Sequence, residues 1–254
     1  MVTTDFLPYV FFVFGLVIGS FLNVCIYRIP RGESVIFPPS LCPGCNQRIA
    51  ARDLIPLLSY IRLKGRCRFC GNKISPVYPF IELLTGLLFA AVYLRFGHTV
   101  LLYKVLFLIP VLIIVTFIDL RHYIIPDKVT VFALTGVVVL NVFTRDLTLV
   151  SSLLGLTSAA AFLLLIAIVS KGGMGGGDIK FAAVIGLFLG WPNGLFAVFL
   201  GCMLAGLVGM VLLLTRVKGR KDAIPFGPFL CAGVLVAIWR GNEILTWYFN
   251  KVSF

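Results

Sequence analysis

Long apolar segments separated by short polar stretches make up most of the chain. Eight are candidate membrane spans, at roughly 6–27, 78–96, 100–118, 128–144, 149–169, 179–192, 194–215 and 224–240. A helix needs about 20 apolar residues to cross a hydrocarbon core of about 30 Å, and most of these segments approach that length. The sixth is short and follows a glycine run, so its boundaries are the least defined. The pattern predicts an all-α, polytopic membrane helical bundle of about eight spans.

The composition excludes a soluble globular protein. Of the 254 residues, 60% are hydrophobic and only 13% are charged, and the mean hydropathy is +1.05. A soluble domain carries about 25% charged residues. The first apolar segment lacks a basic leading region and a small-residue cleavage site, so we expect a retained helix and not a signal peptide.

One polar segment, 28–77, interrupts the apolar pattern, and it divides the chain into a first span (1–27), this insertion and a membrane core (78–254). The insertion carries two C-x-x-C pairs separated by 21 residues: Cys42, Cys45, Cys67 and Cys70. Four thiolates at this spacing suit a tetrahedral structural zinc site, and we expect Gly44 and Gly71 to permit the tight turns. A segment this small buries little core, so a metal would stabilise it. Two disulfides or a redox pair are the alternatives, and a reducing compartment disfavours the disulfides.

The charge distribution predicts the orientation in the membrane. The chain has 22 Lys and Arg against 10 Asp and Glu, a net charge of +12. With 28–77 in the cytoplasm, 17 of the 22 cations lie on that side, as the positive-inside rule requires. Both termini are then outside, and the cations face the membrane lipids. We expect no nucleic-acid partner, because the insertion shows neither a reading helix nor a series of stacking aromatic residues.

Two carboxylates at the edges of spans are the candidate chemistry. Asp119 ends the third span, and Asp178 closes the glycine run that precedes the sixth. An ionisable group at membrane depth is a functional-site hypothesis by default. Two neighbouring aspartates cannot both ionise cheaply, so the pair shares a proton and titrates as a unit. Such a pair supplies a base that activates water and an acid that protonates a departing amine, which is peptide hydrolysis.

Other residues near these acids are candidates for substrate binding. Gly175 and Gly177 would allow positive φ and let a substrate strand approach the backbone before a helix resumes at Ile179. Lys180 follows in the same motif, and Asp127 is either a third acid of the site or the N-cap of the fourth span. Glu82, near the start of the second span, either bonds a neighbouring helix or lines the site.

Several motifs together resemble one family. They are GSFLNV at 19–24, YRIP at 27–30, the two C-x-x-C pairs, 76–82, 119–127, GGGDIK at 175–180 and IPFGP at 224–228. In this order they resemble the type IV prepilin peptidases, the bifunctional leader peptidase/N-methyltransferases, over almost the whole chain. The resemblance implies an aspartic endopeptidase of the bacterial inner membrane, with Asp119 and Asp178 as its essential acids at the cytoplasmic face.

The same resemblance implies the substrates and the second activity. Family members remove a short basic leader from type IV prepilins and from type II secretion pseudopilins, cutting after a glycine. They then methylate the new N-terminal amine with S-adenosylmethionine. The cysteine pairs favour this bifunctional form over shorter peptidase-only relatives. The sequence indicates neither a methyl-donor pocket nor an oligomeric state.

Two other function classes remain open at this stage. A transporter or channel would use the aspartates as an ion relay. Such a relay requires acidic residues along a path across the bilayer, whereas the aspartates of this chain cluster at one face. A non-enzymatic membrane-tethered zinc module would depend on the cysteines and not on the aspartates.

Overall fold

The regular structure of the chain is helical. The computed structural model describes residues 6–171, 173–219 and 222–252, and in that part the only β-structure is two isolated bridges. The α-helices are α1 Leu7–Arg28, α2 Leu58–Arg62, α3 Val77–Phe96, α4 Val100–His122, α5 Asp127–Thr144, α6 Leu149–Val169, α7 Gly176–Leu189, α8 Asn193–Leu214 and α9 Gly227–Val252. Two short 3-10 helices occupy Ile29–Arg31 and Ala51–Asp53. The predicted all-α class is confirmed.

Seven of the helices within the described ranges are long and apolar enough to cross a membrane: α1, α3, α4, α5, α6, α8 and α9. They confirm a multi-pass membrane protein. The predicted span 179–192 corresponds to α7, which has 14 residues. At about 1.5 Å per residue α7 measures about 21 Å, less than the hydrocarbon thickness of about 30 Å.

The chain folds as two compact units, Met1–Ile114 and Val115–Phe254, and the boundary lies inside α4. The sequence-based division at 27/28 and 77/78 stays a prediction. In the first unit, α1 packs closely on α3 because glycines line the contact. A Cβ added to Gly15 would lie 2.7 Å from the Cα of Gly86, and one added to Gly19 would lie 2.7 Å from the Cα of Glu82. Larger residues would force these two helices apart.

In the second unit, α7 lies among neighbours on several sides. It packs against α5, α6, α8 and α9. Its buried side chains include Phe181, Ile185 and Phe188. At the contact with α6, a Cβ on Gly155 would overlap the carbonyl oxygen of Gly186. The helix that carries Asp178 is therefore held firmly along its length.

Candidate active site

Asp119 lies in the last turn of α4 and is only 4% exposed. Its Oδ2 accepts a hydrogen bond of 2.7 Å from the backbone N–H of Gly227, the first residue of α9. The first N–H groups of a helix have no acceptor within the helix, and the helix dipole favours negative charge there. The start of α9 thus provides both a donor and a favourable field for this carboxylate.

Asp178 occupies the first turn of α7 and is held in a similar way. Its Oδ2 accepts a hydrogen bond of 3.2 Å from the N–H of Gly175, the N-cap residue of this helix. Asp178 lies outside the seven candidate spans. Burial, and secondly the negative charge of Asp119, raise the pKa of Asp178 to about 6, while the Gly175 N–H opposes the shift.

The two carboxylates therefore interact electrostatically within the second unit. A charge on one makes ionisation of the other less favourable, so the pair holds one proton over a range of pH. The Asp119 carboxylate is oriented by the backbone N–H groups of Gly227 and Phe226, and that of Asp178 by the N–H of Gly175. Other lone pairs are left for a water or a substrate. This arrangement can deliver one general base and one general acid to the same bond.

The glycine run departs from its predicted conformation. Among the described glycines from 173 to 177, none has positive φ, and the helix begins at Gly176 and not at Ile179. Both predictions were wrong; Gly172 lies outside the described residues. The need for glycine is steric at one position, because a Cβ on Gly177 would lie 3.1 Å from the carbonyl oxygen of Ile125. Gly177 thus lets α7 begin directly beside the segment that precedes α5.

Lys180 and Asp127 meet each other at this end of the unit. The Lys180 Nζ lies 2.7 Å from the Asp127 Oδ1, and both side chains are exposed. The N-cap of α5 is Pro126, and Asp127 is the first helical residue, so the N-cap alternative for Asp127 was wrong. A carboxylate in the first turn is still favoured by the helix dipole.

Glu82 lies in the first unit, in α3, and is buried. Its Oε2 accepts a hydrogen bond of 2.8 Å from the backbone N–H of Leu57, in the insertion. Of the two sequence-based alternatives, the structure gives Glu82 a bonding role. Its partners are the Leu57 N–H of the insertion and the Ser20 side chain of α1, so the predicted bond to a neighbouring helix is present beside one to a loop residue.

The four insertion cysteines form one cluster in the first unit. Their sulfur atoms all lie within 4.8 Å of one another, and the Sγ atoms of Cys42 and Cys70 are 3.7 Å apart. Zinc–sulfur bonds of about 2.3 Å in a tetrahedron place sulfurs about 3.8 Å apart, so the donor set fits such an ion. No two of the seven cysteines form a disulfide.

The two cysteine turns have matching backbone geometry. In each turn, the residue four positions after the first cysteine is left-handed: Asn46 at φ 55° and Gly71 at φ 71°. The expectation for Gly71 is confirmed, whereas Gly44 was assigned the wrong role. Gly44 is needed because a Cβ there would overlap the side chain of Asn72 from the other turn.

Gly227 is the residue of the site that the sequence reasoning missed. The motif 224–228 entered only as part of a resemblance, without a chemical role. Its Gly227 lies 108 positions after Asp119 in the chain, so nothing local links the two. The available signal was a glycine between Pro225 and Pro228 at the start of an apolar segment, which is typical of a helix N-terminus.

Comparisons with known proteins identify the family of the chain. Residues 13–96 match the family model of the bacterial peptidase A24 N-terminal domain, and residues 106–210 match that of the type IV leader peptidase family. A prepilin leader peptidase/N-methyltransferase of Bacillus subtilis (strain 168) is 37% identical over 239 residues, covering 94% of this chain and 96% of the relative. A protein of the same name from Aeromonas hydrophila is 35% identical over 271 residues, covering 94% and 93%. One from Myxococcus xanthus (strain DK1622) is 39% identical over 240 residues, covering 91% and 71%. No solved structure matches the chain.

Proposed function

This chain belongs to the type IV leader peptidase family, and we propose that Asp119 and Asp178 cleave the leader peptide of type IV prepilins and type II secretion pseudopilins. The protein is a prepilin leader peptidase and N-methyltransferase, a peptidase with a second, methyl-transferring activity. The proposal for the catalytic pair rests on one observation. The negative charge of Asp119 reaches Asp178 within the same unit, where each acid is held by a backbone donor.

In the proposed cleavage, a water molecule lies between the two carboxylates. The ionised carboxylate takes a proton from this water, and the water oxygen attacks the carbonyl carbon of the leader's last residue, the glycine before the scissile bond. The protonated carboxylate first hydrogen-bonds the carbonyl oxygen and then returns a proton to the departing amine as the C–N bond breaks. Protons and electrons balance within the pair, so this step involves only the water, the peptide and the two acids.

The backbone around the acids would position them for this step. The N–H of Gly227 orients the Asp119 carboxylate, and the N–H of Gly175 orients that of Asp178. Gly177, Lys180 and Asp127 lie next to Asp178 in the same unit and are proposed to contact the substrate. Because the Lys180–Asp127 pair is exposed, water screens it, and a basic residue of the leader can exchange with Lys180. Glu82 remains a weaker candidate for substrate contact, since its carboxylate already accepts a backbone N–H.

The cysteine cluster is proposed to hold zinc through Cys42, Cys45, Cys67 and Cys70. The sulfur spacing suits a tetrahedral metal, and a closed four-sulfur site is structural in character. A bound ion would fix the insertion 28–77, which we propose as a cytoplasmic domain. S-adenosylmethionine would supply the methyl group of the second reaction, and its binding residues are not identified.

The proposed setting is the bacterial inner membrane with both termini outside and the acids at the cytoplasmic face. The distribution of lysines and arginines supports this orientation, and lipid headgroups are the natural partners of those charges. A prepilin whose apolar stem lies in the bilayer would then present its scissile bond at the interface.

The proposal is tested with purified protein in nanodiscs, a prepilin, and S-adenosylmethionine, followed by intact-mass analysis. We expect the wild-type protein to remove the leader and add one methyl group. The Asp119→Asn and Asp178→Asn variants should leave the prepilin uncut while methylating a pilin supplied without its leader. Cleavage at the wild-type rate by either variant would refute the proposed pair.

A matched control is available at Asp222. Its Oδ2 accepts the N–H of Gly219 at 2.7 Å, the same three-residue geometry that links Asp178 to Gly175. Asp222→Asn makes the same chemical change outside the proposed catalytic pair, so we expect this variant to cleave the prepilin at the wild-type rate. If neither the wild-type protein nor any variant cut a prepilin, and Asp178→Asn abolished ion flux into proteoliposomes, the transporter alternative would replace the hydrolase.

A further inference from the structure

An exposed apolar face lies in the polar insertion, outside all the candidate spans. Leu58 and Ile61, three residues apart in α2, are 66% and 71% exposed. Residues three apart share one face of a helix, so the two side chains form a small continuous apolar surface. Leu54 and Ile55, just before this helix, are also exposed. Because this apolar surface lies in a polar segment outside the candidate spans, it needs a partner that excludes water.

The attachment of α2 to α3 fixes the depth of this face. The Leu57 N–H, immediately before α2, donates to the Glu82 carboxylate at 2.8 Å. Glu82 is the sixth residue of α3, so it lies about 7.5 Å along the helix from Val77. The 20 residues of α3 measure about 30 Å, which matches the hydrocarbon core. The start of α2 is thus held at the level where interfacial helices insert, about 5–10 Å into the headgroup and acyl boundary.

The charge around this face selects the kind of lipid. The insertion 28–77 carries nine Lys and Arg against two acids, Glu33 and Asp53. Asp53 is already bound by the guanidinium groups of Arg62 and Arg68. Other cations flanking α2 are exposed: Arg52, Lys64 and Arg66. Anionic headgroups complement this charge, whereas a basic peptide would be repelled.

We propose that Leu54–Ile61 is an interfacial anchor that seats Leu58 and Ile61 among anionic phospholipids of the surrounding membrane. Glu82 is the positioning residue of this anchor, since its carboxylate holds the segment against α3. The anchor would keep the cysteine cluster at the membrane surface. This inference does not depend on the peptidase activity.

The test uses the full-length protein with a photoreactive benzoylphenylalanine at Ile61, reconstituted in nanodiscs that contain phosphatidylglycerol. Illumination followed by intact-mass analysis should reveal adducts with phospholipid. The control places the same residue at Lys73, which is exposed and precedes α3. We expect at least about fivefold more lipid adduct at position 61 than at position 73, and a fall of similar size at position 61 in phosphatidylcholine discs.

Equal yields at the two positions, or equal yields in the two lipids, would overturn the proposal. Adducts of position 61 with an added prepilin, or with a second copy of the chain, would also overturn it and identify the actual occupant. In Glu82→Gln, the amide still accepts the Leu57 N–H through its oxygen, so the adduct yield should persist. In Glu82→Leu the acceptor is lost, and the yield should drop several-fold; an unchanged yield there would exclude Glu82 as the positioning residue.

Discussion

The substitution Gly227→Ala probes how strictly the Asp119 carboxylate must be placed. A Cβ at position 227 would lie 3.0 Å from Asp119 Oδ2, 3.2 Å from Asp119 Cβ and 3.2 Å from Val115 Cγ1. These separations are shorter than ordinary van der Waals contacts by a few tenths of an ångström. Since the methyl group cannot overlap the carboxylate, the aspartate or the start of α9 must shift.

The shift is small, but it acts on a charge-bearing hydrogen bond. Hydrogen bonds to charged groups contribute about 1.5–3 kcal/mol, and the 2.7 Å bond from the Gly227 N–H is the one displaced. Misplacement of a catalytic group by about 1 Å can cost about 100-fold in rate. For a shift of a few tenths of an ångström we expect cleavage to slow by about 10- to 100-fold. KM should change little, because the substrate contacts are elsewhere.

The assay follows leader removal from a purified prepilin by mass spectrometry over a range of prepilin concentrations. Gly206→Ala is the matched control, because Gly206 is an exposed residue of α8 with nothing within 4 Å of an added Cβ. That variant should cleave at the wild-type rate. If Gly227→Ala also keeps the wild-type kcat while remaining folded, then the N–H of Gly227 does not position Asp119 and the reasoning is wrong. A rise in KM without a change in kcat would contradict the reasoning equally.

Three further predictions concern the insertion and the helix packing. Cys70→Ser should remove bound zinc, measured by elemental analysis of the purified protein, whereas Cys202→Ser in α8 should keep it, because only the first belongs to the sulfur cluster. Arg68, and to a smaller extent Arg62, lower the pKa of Asp53 from its usual 3.8 to about 2, although burial opposes them. The contribution of Asp53 to stability is therefore present above about pH 4 and is lost as the pH falls toward 2. Hydrogen exchange of the insertion should therefore be faster in Asp53→Asn than in wild type at pH 7, and this difference in rate should shrink toward pH 2. A difference that stays constant with pH would refute the pairing of Asp53 with the two arginines. Metal release at low pH affects both proteins alike. Gly155→Ala should lower the free energy of unfolding in detergent by about 1–3 kcal/mol, because its methyl group meets the backbone of Gly186. An unfolding free energy equal to that of wild type would argue against the α6–α7 contact.

The sequence was most informative where the chemistry is local. Hydropathy reports the environment of consecutive residues, so it located every long helix in the described part of the chain. The C-x-x-C spacing located the cysteine cluster because each turn supplies two sulfurs by itself. The pairing of Asp119 with Asp178 was reached from their shared membrane side, which the charge pattern predicts independently of any contact.

The remainder depended on contacts between distant parts of the chain. Gly227, a partner of Asp119, is 108 residues away, and Leu57, a partner of Glu82, is 25 residues away, so no local pattern could indicate them. The glycines before Asp178 illustrate a second limit. Their sequence indicates freedom from side-chain bulk, but it cannot distinguish a turn with positive φ from close packing, and at Gly177 packing against Ile125 was the reason.

Main-chain amides orient both acids, and this has a genetic consequence. A peptide N–H is deleted only by proline, so most single codon changes at the donor positions leave the hydrogen bond chemically possible. Inactive alleles at Gly175 and Gly227 should then act through added bulk, because a Cβ would lie 3.1 Å from Asp178 Oδ2 at the first position and 3.0 Å from Asp119 Oδ2 at the second. In a saturation library scored for pilus assembly, every substitution should be inactive at Asp119 and Asp178, whereas sensitivity at Gly175 and Gly227 should increase with side-chain size.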